Sequence, residues 1–144
     1  MNSLKLVDKA LIGEISQDDA SKMVYAYNNT DSPKNTKSVW FSLEQMDQLV
    51  TLLKAEKLVG LDTDGVRIYS GTYTDETIGA QPKAYLGRDT VIFVSTKAFR
   101  DTDTGEVLYH EDYFEHLELP KYGNPENNGE LCPSHCDGTT LPKP

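Results

Sequence analysis

The densest group of reactive side chains in the sequence lies near its end, where Cys132, His135 and Cys136 fall within five residues. Two thiols and an imidazole are the soft ligands that suit zinc. A structural zinc site normally has a fourth ligand, and the spacing is not that of a recognised zinc finger. The fourth ligand would have to be Asp137, His110 or His116. No cofactor is therefore expected, and Cys132, His135 and Cys136 are the candidate ligands if zinc binds.

The same two cysteines fit two other chemical states. They can form a disulfide, as a structural link or a redox switch, or they can stay reduced and help the end of the chain to pack. The first residues, MNSLKLVDKALIGEIS, lack the apolar stretch of roughly seven to fifteen residues found in secretion signals. A cytoplasmic location is therefore expected, and disulfides rarely persist in that reducing compartment. This argument favours reduced thiols and leaves the disulfide and the zinc site as alternatives.

A second group of candidate metal ligands surrounds two histidines. His110 and His116 lie six residues apart, whereas metalloprotease helices place their histidine ligands one turn apart on one face. A helix here would bring Asp112, Glu115 and His116 together as a divalent-cation site. A solvated charged segment with its aromatic rings packed inward is the favoured interpretation.

The acidic run 101–106 opens like a calcium loop, but Gly105 stands where an oxygen ligand belongs. The run therefore predicts a tight turn, and so does the similar run 62–65. The sequence has no phosphate-binding loop, no dinucleotide fingerprint and no serine-hydrolase elbow. The sequence therefore does not support phosphate-loop binding, dinucleotide binding or serine-hydrolase activity.

A further candidate site is a surface for binding. Arg67 and Tyr69 alternate with Val66 and Ile68 along a predicted strand, so they share the face opposite the two apolar residues. With Tyr73 they predict an exposed ligand-binding surface. A solvent-facing strand with amphipathic side chains produces the same pattern and is the plainer interpretation.

Two capping boxes, at 16–19 and 42–45, predict the helices of the fold. In each, a serine can accept the amide hydrogen three residues on, and the last side chain of the box reaches back. Apolar residues then recur at helical spacing, from Ala20 to Tyr27 and from Met46 to Leu53. We expect one helix from 16 to about 28 and a second from 42 to about 56.

Four segments have the composition of strands, namely 38–41, 66–74, 90–96 and 106–110. The nearly continuous apolar run 90–96 predicts a central strand. Trp40 lies on the strand that leads into the second helix, and we expect its ring to be buried. Residues 75–89 are predicted to form a loop, which is long enough to be a binding loop or simply a mobile excursion.

The order of these elements predicts an α+β fold in a single domain, 1–144. A mainly antiparallel sheet would carry both helices on one face. Five of the seven prolines lie between Pro120 and Pro144. The segment 120–144 is therefore predicted to wrap the core irregularly or to be partly disordered.

The charge excludes some partners. The chain carries 14 basic and 23 acidic residues, a formal charge of −9, which repels nucleic-acid phosphates. No apolar run approaches the roughly 18 to 20 residues that a membrane span needs. The expected partner is a protein or a small ligand, and the sequence does not specify an oligomeric state.

Four stretches, taken in order, resemble a group of small uncharacterised Bacteroidetes proteins with a terminal Cys-Pro-x-x-Cys element. They are Val39-Trp-Phe-Ser-Leu-Glu, Asp64-Gly-Val-Arg-Ile-Tyr, Thr90-Val-Ile-Phe-Val-Ser-Thr and Gly129-Glu-Leu-Cys-Pro-Ser-His-Cys. The resemblance implies a helix-plus-sheet core. It implies no activity and assigns no catalytic residue.

These observations favour a non-enzymatic protein-interaction or ligand-binding module. The first alternative is a thiol-based redox or metal-binding protein that uses Cys132 and Cys136. The second is a small enzyme with a pocket under the loop 75–89, for which a pocket gathering Asp, His and Tyr side chains would be the sign.

Overall fold

The architecture combines helices with antiparallel strands in a computed structural model, which describes residues 12–30, 36–113, 127–132, 134 and 136–137. In chain order the elements are α1 (Gln17–Asn28), β1 (Ser38–Trp40), α2 (Leu43–Leu58), β2 (Thr63–Thr72), a short 3₁₀ helix (Lys83–Tyr85), β3 (Asp89–Arg100), β4 (Val107–Asp112) and β5 (Glu130–Cys132). All strand pairs are antiparallel, which confirms the α+β class. The chain divides into two compact units, Asn35–His135 and Met1–Lys34 with Cys136–Pro144.

Both helices begin where the capping boxes place them. The hydroxyl of Ser16 accepts the amide hydrogen of Asp19 at 3.0 Å, and the hydroxyl of Ser42 accepts that of Gln45 at 3.0 Å. These bonds satisfy backbone donors that a helix start leaves free. α1 belongs to the smaller unit and, within its described residues, buries no side chain. α2 buries Leu49 and Glu56 and packs against β2.

The larger unit contains a three-stranded sheet in the order β2-β3-β4. β3 is its central strand, as the apolar run 90–96 predicts. A tight turn joins β3 to β4, also as predicted, because Asp101 Oδ1 accepts the amide hydrogens of Asp103 and Thr104 at 2.8 and 3.0 Å. These two bonds hold the pKa of Asp101 below its ordinary value.

The predicted turn at 62–65 is wrong, because this run enters β2 through a β-bulge. Thr63 pairs with Lys97 and Gly65 pairs with Thr96, so Asp64 is the extra residue. A bulge rotates the strand locally and changes the direction of a side chain. Here the side chain of Asp64 reaches Thr96, whose hydroxyl donates to its Oδ1 at 2.8 Å.

β1 and β5 form a separate two-stranded sheet next to the main hydrophobic cluster. Tyr73, Tyr85 and Leu131 form that cluster, and Val39 packs against it. The predicted burial of Trp40 is wrong, since its residue surface is 59% exposed. Successive strand residues face opposite sides, and the inward position of β1 belongs to Val39.

Several predictions fall partly outside the described residues. Of the predicted C-terminal wrap, 120–144, the structure describes 127–132, which contain β5, together with 134 and 136–137. Residues 114–126, 133, 135 and 138–144 are not described. Asp112 is the last residue of β4 and pairs with Thr96, so it is not in the predicted helix. Glu115 and His116 lie outside the described residues. In the described parts of the chain, no helix has the length and apolar character to cross a membrane.

Candidate functional site

One face of the three-stranded sheet carries a connected group of polar side chains. Strand register places the paired members on this face, since residues directly opposite each other in a ladder point to the same side. The unpaired residue of the bulge, Asp64, joins them through its contact with Thr96. We call this group the sheet-face cluster. Its members are Asp64, Arg67, Tyr69, Thr96, His110 and Asp112.

Arg67 and Tyr69 share the carboxyl group of Asp112. Arg67 extends from β2 past β3 to β4, where Nη1 donates to Asp112 Oδ1 at 2.6 Å and Nη2 donates to the carbonyl oxygen of His110 at 3.0 Å. The hydroxyl of Tyr69 donates to Asp112 Oδ2. The Tyr69 hydroxyl and then the Asp112 charge raise the pKa of Arg67 above its ordinary value. Arg67 therefore stays positively charged and is held in one direction.

Asp64 holds the imidazole of His110. Its Oδ2 contacts His110 Nδ1, while Oδ1 accepts from Thr96. Because a carboxylate can only accept, Nδ1 carries a proton in this pair. Nε2 then faces away from Asp64 and is the ring atom that a partner can reach.

Exposure within the cluster follows a consistent order. The side chains of His110 and Arg67 are 60% and 43% exposed, whereas those of Asp64 and Asp112 are 21% and 14% exposed. The two carboxyl groups thus lie beneath the two basic groups that they position. With a neutral imidazole the cluster has one more negative than positive charge, so it is unsuited to attract a free anion.

Of the three residues of the predicted binding surface, Arg67 and Tyr69 lie on one face of β2, and Tyr73 lies beyond the end of the strand. Tyr73 is 4% exposed, and its hydroxyl donates to Asn127 Oδ1 at 2.7 Å. Its predicted exposure is therefore wrong, because β2 ends at Thr72 and the chain turns inward. A binding role for any of the three residues stays a prediction.

The two described members of the candidate zinc set, Cys132 and Cys136, are disulfide-bonded in the structure. This arrangement does not decide between the disulfide, the reduced thiols and the zinc site. A disulfide sulfur is not a thiolate ligand, so a zinc site at these positions requires reduction. His135 lies outside the described residues, and the zinc set stays a prediction. Among the residues that the structure describes, no group of three or more His, Cys, Asp or Glu side chains is arranged to hold a metal.

Sequence reasoning did not assign Asp64, Thr96, His110 or Asp112 to the binding surface. Asp64 was part of a predicted turn, and His110 and Asp112 were considered as metal ligands or as part of a solvated charged segment. One signal was present, since an arginine on a strand face often pairs with an acid on the same face of the sheet. The acid that pairs with Arg67 lies two strands away, on β4. Identifying that acid requires the register between strands.

Comparison of the chain with protein families, with curated proteins and with solved structures finds no match. The geometry of the cluster is therefore the basis for the functional interpretation.

Proposed function

We propose that this chain is a non-enzymatic binding module that recognises a polar partner, a protein segment or a small ligand, through the sheet-face cluster. The observation that carries the proposal is the support of two exposed basic side chains, Arg67 and His110, by two less exposed acids, Asp112 and Asp64. Groups that are already positioned lose less entropy on binding than free side chains do. Support of this kind from underlying residues is characteristic of binding sites.

The free hydrogen-bonding groups of the cluster indicate which chemistry it complements. Arg67 has more N–H donors than its two bonds inside the cluster use. In its neutral form, His110 offers Nε2 as an acceptor. A donor beside an acceptor complements an amide, whose carbonyl oxygen accepts from Arg67 and whose N–H donates to His110. The proposed ligand class is therefore an asparagine or glutamine side chain, or a peptide backbone.

The test is an NMR titration of ¹⁵N-labelled protein with N-acetylasparagine amide, with acetate as the comparison. We expect the amide signals of β2 and β4 to shift with the asparagine derivative and much less with acetate. Arg67→Lys should weaken these shifts, because lysine cannot keep the planar geometry of the guanidinium group.

The matched control is Arg100→Lys. Arg100 also forms an ion pair with an aspartate, Asp62, at 2.6 Å, but it lies outside the cluster. The proposal is overturned if the β2 and β4 signals do not move, or if both variants weaken the shifts equally.

A second candidate function has its own observation. The disulfide at Cys132 and Cys136 supports the alternative of a thiol-based redox protein. A redox function requires that a protein dithiol such as thioredoxin reduce the folded protein. Intact mass after alkylation should then show two modified thiols without denaturant. Modification only in denaturant would leave the disulfide with a structural role.

A further inference from the structure

A cavity of about 250 Å³ lies in the larger unit. None of its described lining residues is a member of the sheet-face cluster, although Ile92 pairs directly with Tyr69 in the sheet. Its volume is just below the roughly 300–1,000 Å³ of pockets that hold drug-sized ligands. The described residues that line it are Thr72, Tyr73, Thr77, Thr90, Ile92 and Asn127. Its size therefore suits a smaller molecule.

None of the described lining residues is charged, although charged residues make up 26% of the chain. The walls consist of methyl groups, an aromatic ring, hydroxyls and one amide. Placing an unpaired charge in such surroundings is costly, because nothing replaces its hydration. The described lining therefore selects against charged ligands and favours a neutral molecule with an apolar body. Of the Asp, His and Tyr side chains that would mark an enzyme pocket under the loop 75–89, the described lining includes Tyr73 and no Asp or His.

Asn127 forms the hydrogen bonds on the polar side of the cavity. Its Nδ2 donates to the hydroxyl oxygen of Thr90 at 3.1 Å and to the carbonyl oxygen of Val91 at 2.5 Å. Its Oδ1 accepts from Tyr73, and its backbone carbonyl accepts from Gln45 of α2 at 2.7 Å. Because Thr90 accepts from Asn127, its own hydroxyl hydrogen is the donor left for a ligand. The cavity thus presents one oriented donor on a rigid strand.

Gly71 contributes to the space beside Ile92. It lies directly opposite Thr90 in the sheet register. A Cβ atom at this position would be 2.8 Å from Ile92 Cδ1 and 3.9 Å from Thr90 Cγ2. An alanine would therefore push Ile92 out of its place in the cavity wall.

We propose that this cavity binds a small uncharged molecule that has an apolar body and one hydroxyl or amide oxygen, which accepts a hydrogen bond from Thr90. The proposal does not depend on the sheet-face cluster. It concerns a second site with a different ligand chemistry.

Benzyl alcohol is the probe, with toluene, benzoate and benzylammonium as comparisons, in NMR titrations of the ¹⁵N-labelled protein. Benzyl alcohol should shift the backbone signals of Tyr73, Thr90 and Ile92 and the side-chain amide of Asn127. We expect benzoate and benzylammonium to bind at least about tenfold more weakly, because their charges must be desolvated. Toluene should bind more weakly than benzyl alcohol by about three- to tenfold, since it lacks the oxygen.

Thr90→Val should abolish the preference for benzyl alcohol over toluene and leave toluene binding in place. Its matched control is Thr96→Val, an equally buried threonine of the same strand whose hydroxyl serves the sheet-face cluster. The control variant should keep the preference. Gly71→Ala should weaken both probes, which tests the cavity without deleting a hydrogen bond.

Three results would overturn the proposal. They are equal binding of the charged and neutral probes, signal shifts that lie away from the cavity, and equal loss of preference in the Thr90 and Thr96 variants. If Thr90→Val does not fold, unchanged binding of both probes to Gly71→Ala is sufficient to refute it. If the sheet-face cluster fails to bind the asparagine derivative, the outcomes expected at the cavity stay the same. The two proposals can therefore fail separately.

Discussion

Glu56 allows a quantitative test of how the larger unit is held together. It lies on α2 with 0% exposure, and its two carboxyl oxygens accept from two hydroxyls. Thr63 donates to Oε2 at 3.0 Å and Ser95 donates to Oε1 at 3.2 Å. The helix is thus tied to β2 and to β3 through one side chain. Replacing Glu56 therefore leaves both hydroxyls without these acceptors.

The magnitude follows from those two bonds. A buried donor without its acceptor costs about 1–3 kcal/mol. Glu56→Ala removes both acceptors, so the free energy of unfolding should fall by about 2–6 kcal/mol. Glu56→Gln keeps one acceptor oxygen and turns an NH₂ group toward the other hydroxyl, so the loss should be about 1–3 kcal/mol.

Urea unfolding followed by circular dichroism measures these changes. Glu76→Gln is the matched control, because Glu76 is exposed and the same substitution there should change stability by less than about 0.5 kcal/mol. The triple variant Glu56→Leu, Thr63→Val, Ser95→Ala should recover most of the loss, since it removes donors and acceptor together. A loss below about 0.5 kcal/mol for Glu56→Gln would refute this account of the carboxyl group.

The remaining predictions concern three aromatic or glycine positions. Burial, and then the charge of Glu56, raise the pKa of Tyr113 above its ordinary value of 10.0. The folded protein therefore favours the neutral phenol. The stability that this contributes is fully present below pH 10.0 and is lost as pH rises through the folded-state pKa. The hydroxyl of Tyr113 has no hydrogen-bond partner among the described residues, so Tyr113→Phe should not destabilise the protein at neutral pH and should reduce alkaline unfolding. Urea midpoints between pH 8 and 11 measure both effects. If the variant loses as much stability at alkaline pH as the original protein does, the prediction is contradicted. Gly129→Ala should lower the free energy of unfolding by about 1–3 kcal/mol in the same assay, because the new Cβ atom would lie 2.8 Å from the carbonyl oxygen of Trp40. An unchanged free energy of unfolding would be inconsistent with the packing of β5. Trp40→Ala should cost less than about 1 kcal/mol because the ring is exposed, and a loss of about 3–5 kcal/mol would restore the sequence-based expectation of burial.

Local patterns in the sequence predicted the parts of the fold that local interactions determine. The caps at Ser16 and Ser42 depend on residues three positions away. The tight turn at Asp101 depends on a hydrogen bond from a backbone amide two residues later. The central strand β3 was predictable because an apolar run that long must be covered on both faces.

Features that depend on distant strands could not be predicted in this way. The bulge at Asp64 exists only in its pairing with β3. The exposure of Trp40 depends on which face of β1 the cluster around Leu131 covers. Two of the six members of the sheet-face cluster, Arg67 and Tyr69, were predicted from their alternation along a strand, but its acids require the register of three strands.

One carboxyl group could have been recognised earlier. Glu56 follows Leu53 and Leu49 at helical spacing, so it falls on the apolar stripe of α2. A carboxyl group on such a stripe indicates a buried polar contact. The sequence shows that a partner is needed and does not show that Thr63 and Ser95 supply it.

The central claim is that the acids of the sheet-face cluster fix the direction of its exposed basic groups. The most direct measurement is a long-range ¹H–¹⁵N correlation spectrum of the neutral His110 ring, assigned with a His110→Gln variant. The account predicts a proton on Nδ1, directed at Asp64, and an unprotonated Nε2, with this preference lost in Asp64→Asn. A ring protonated on Nε2, or a spectrum unchanged by Asp64→Asn, would contradict it.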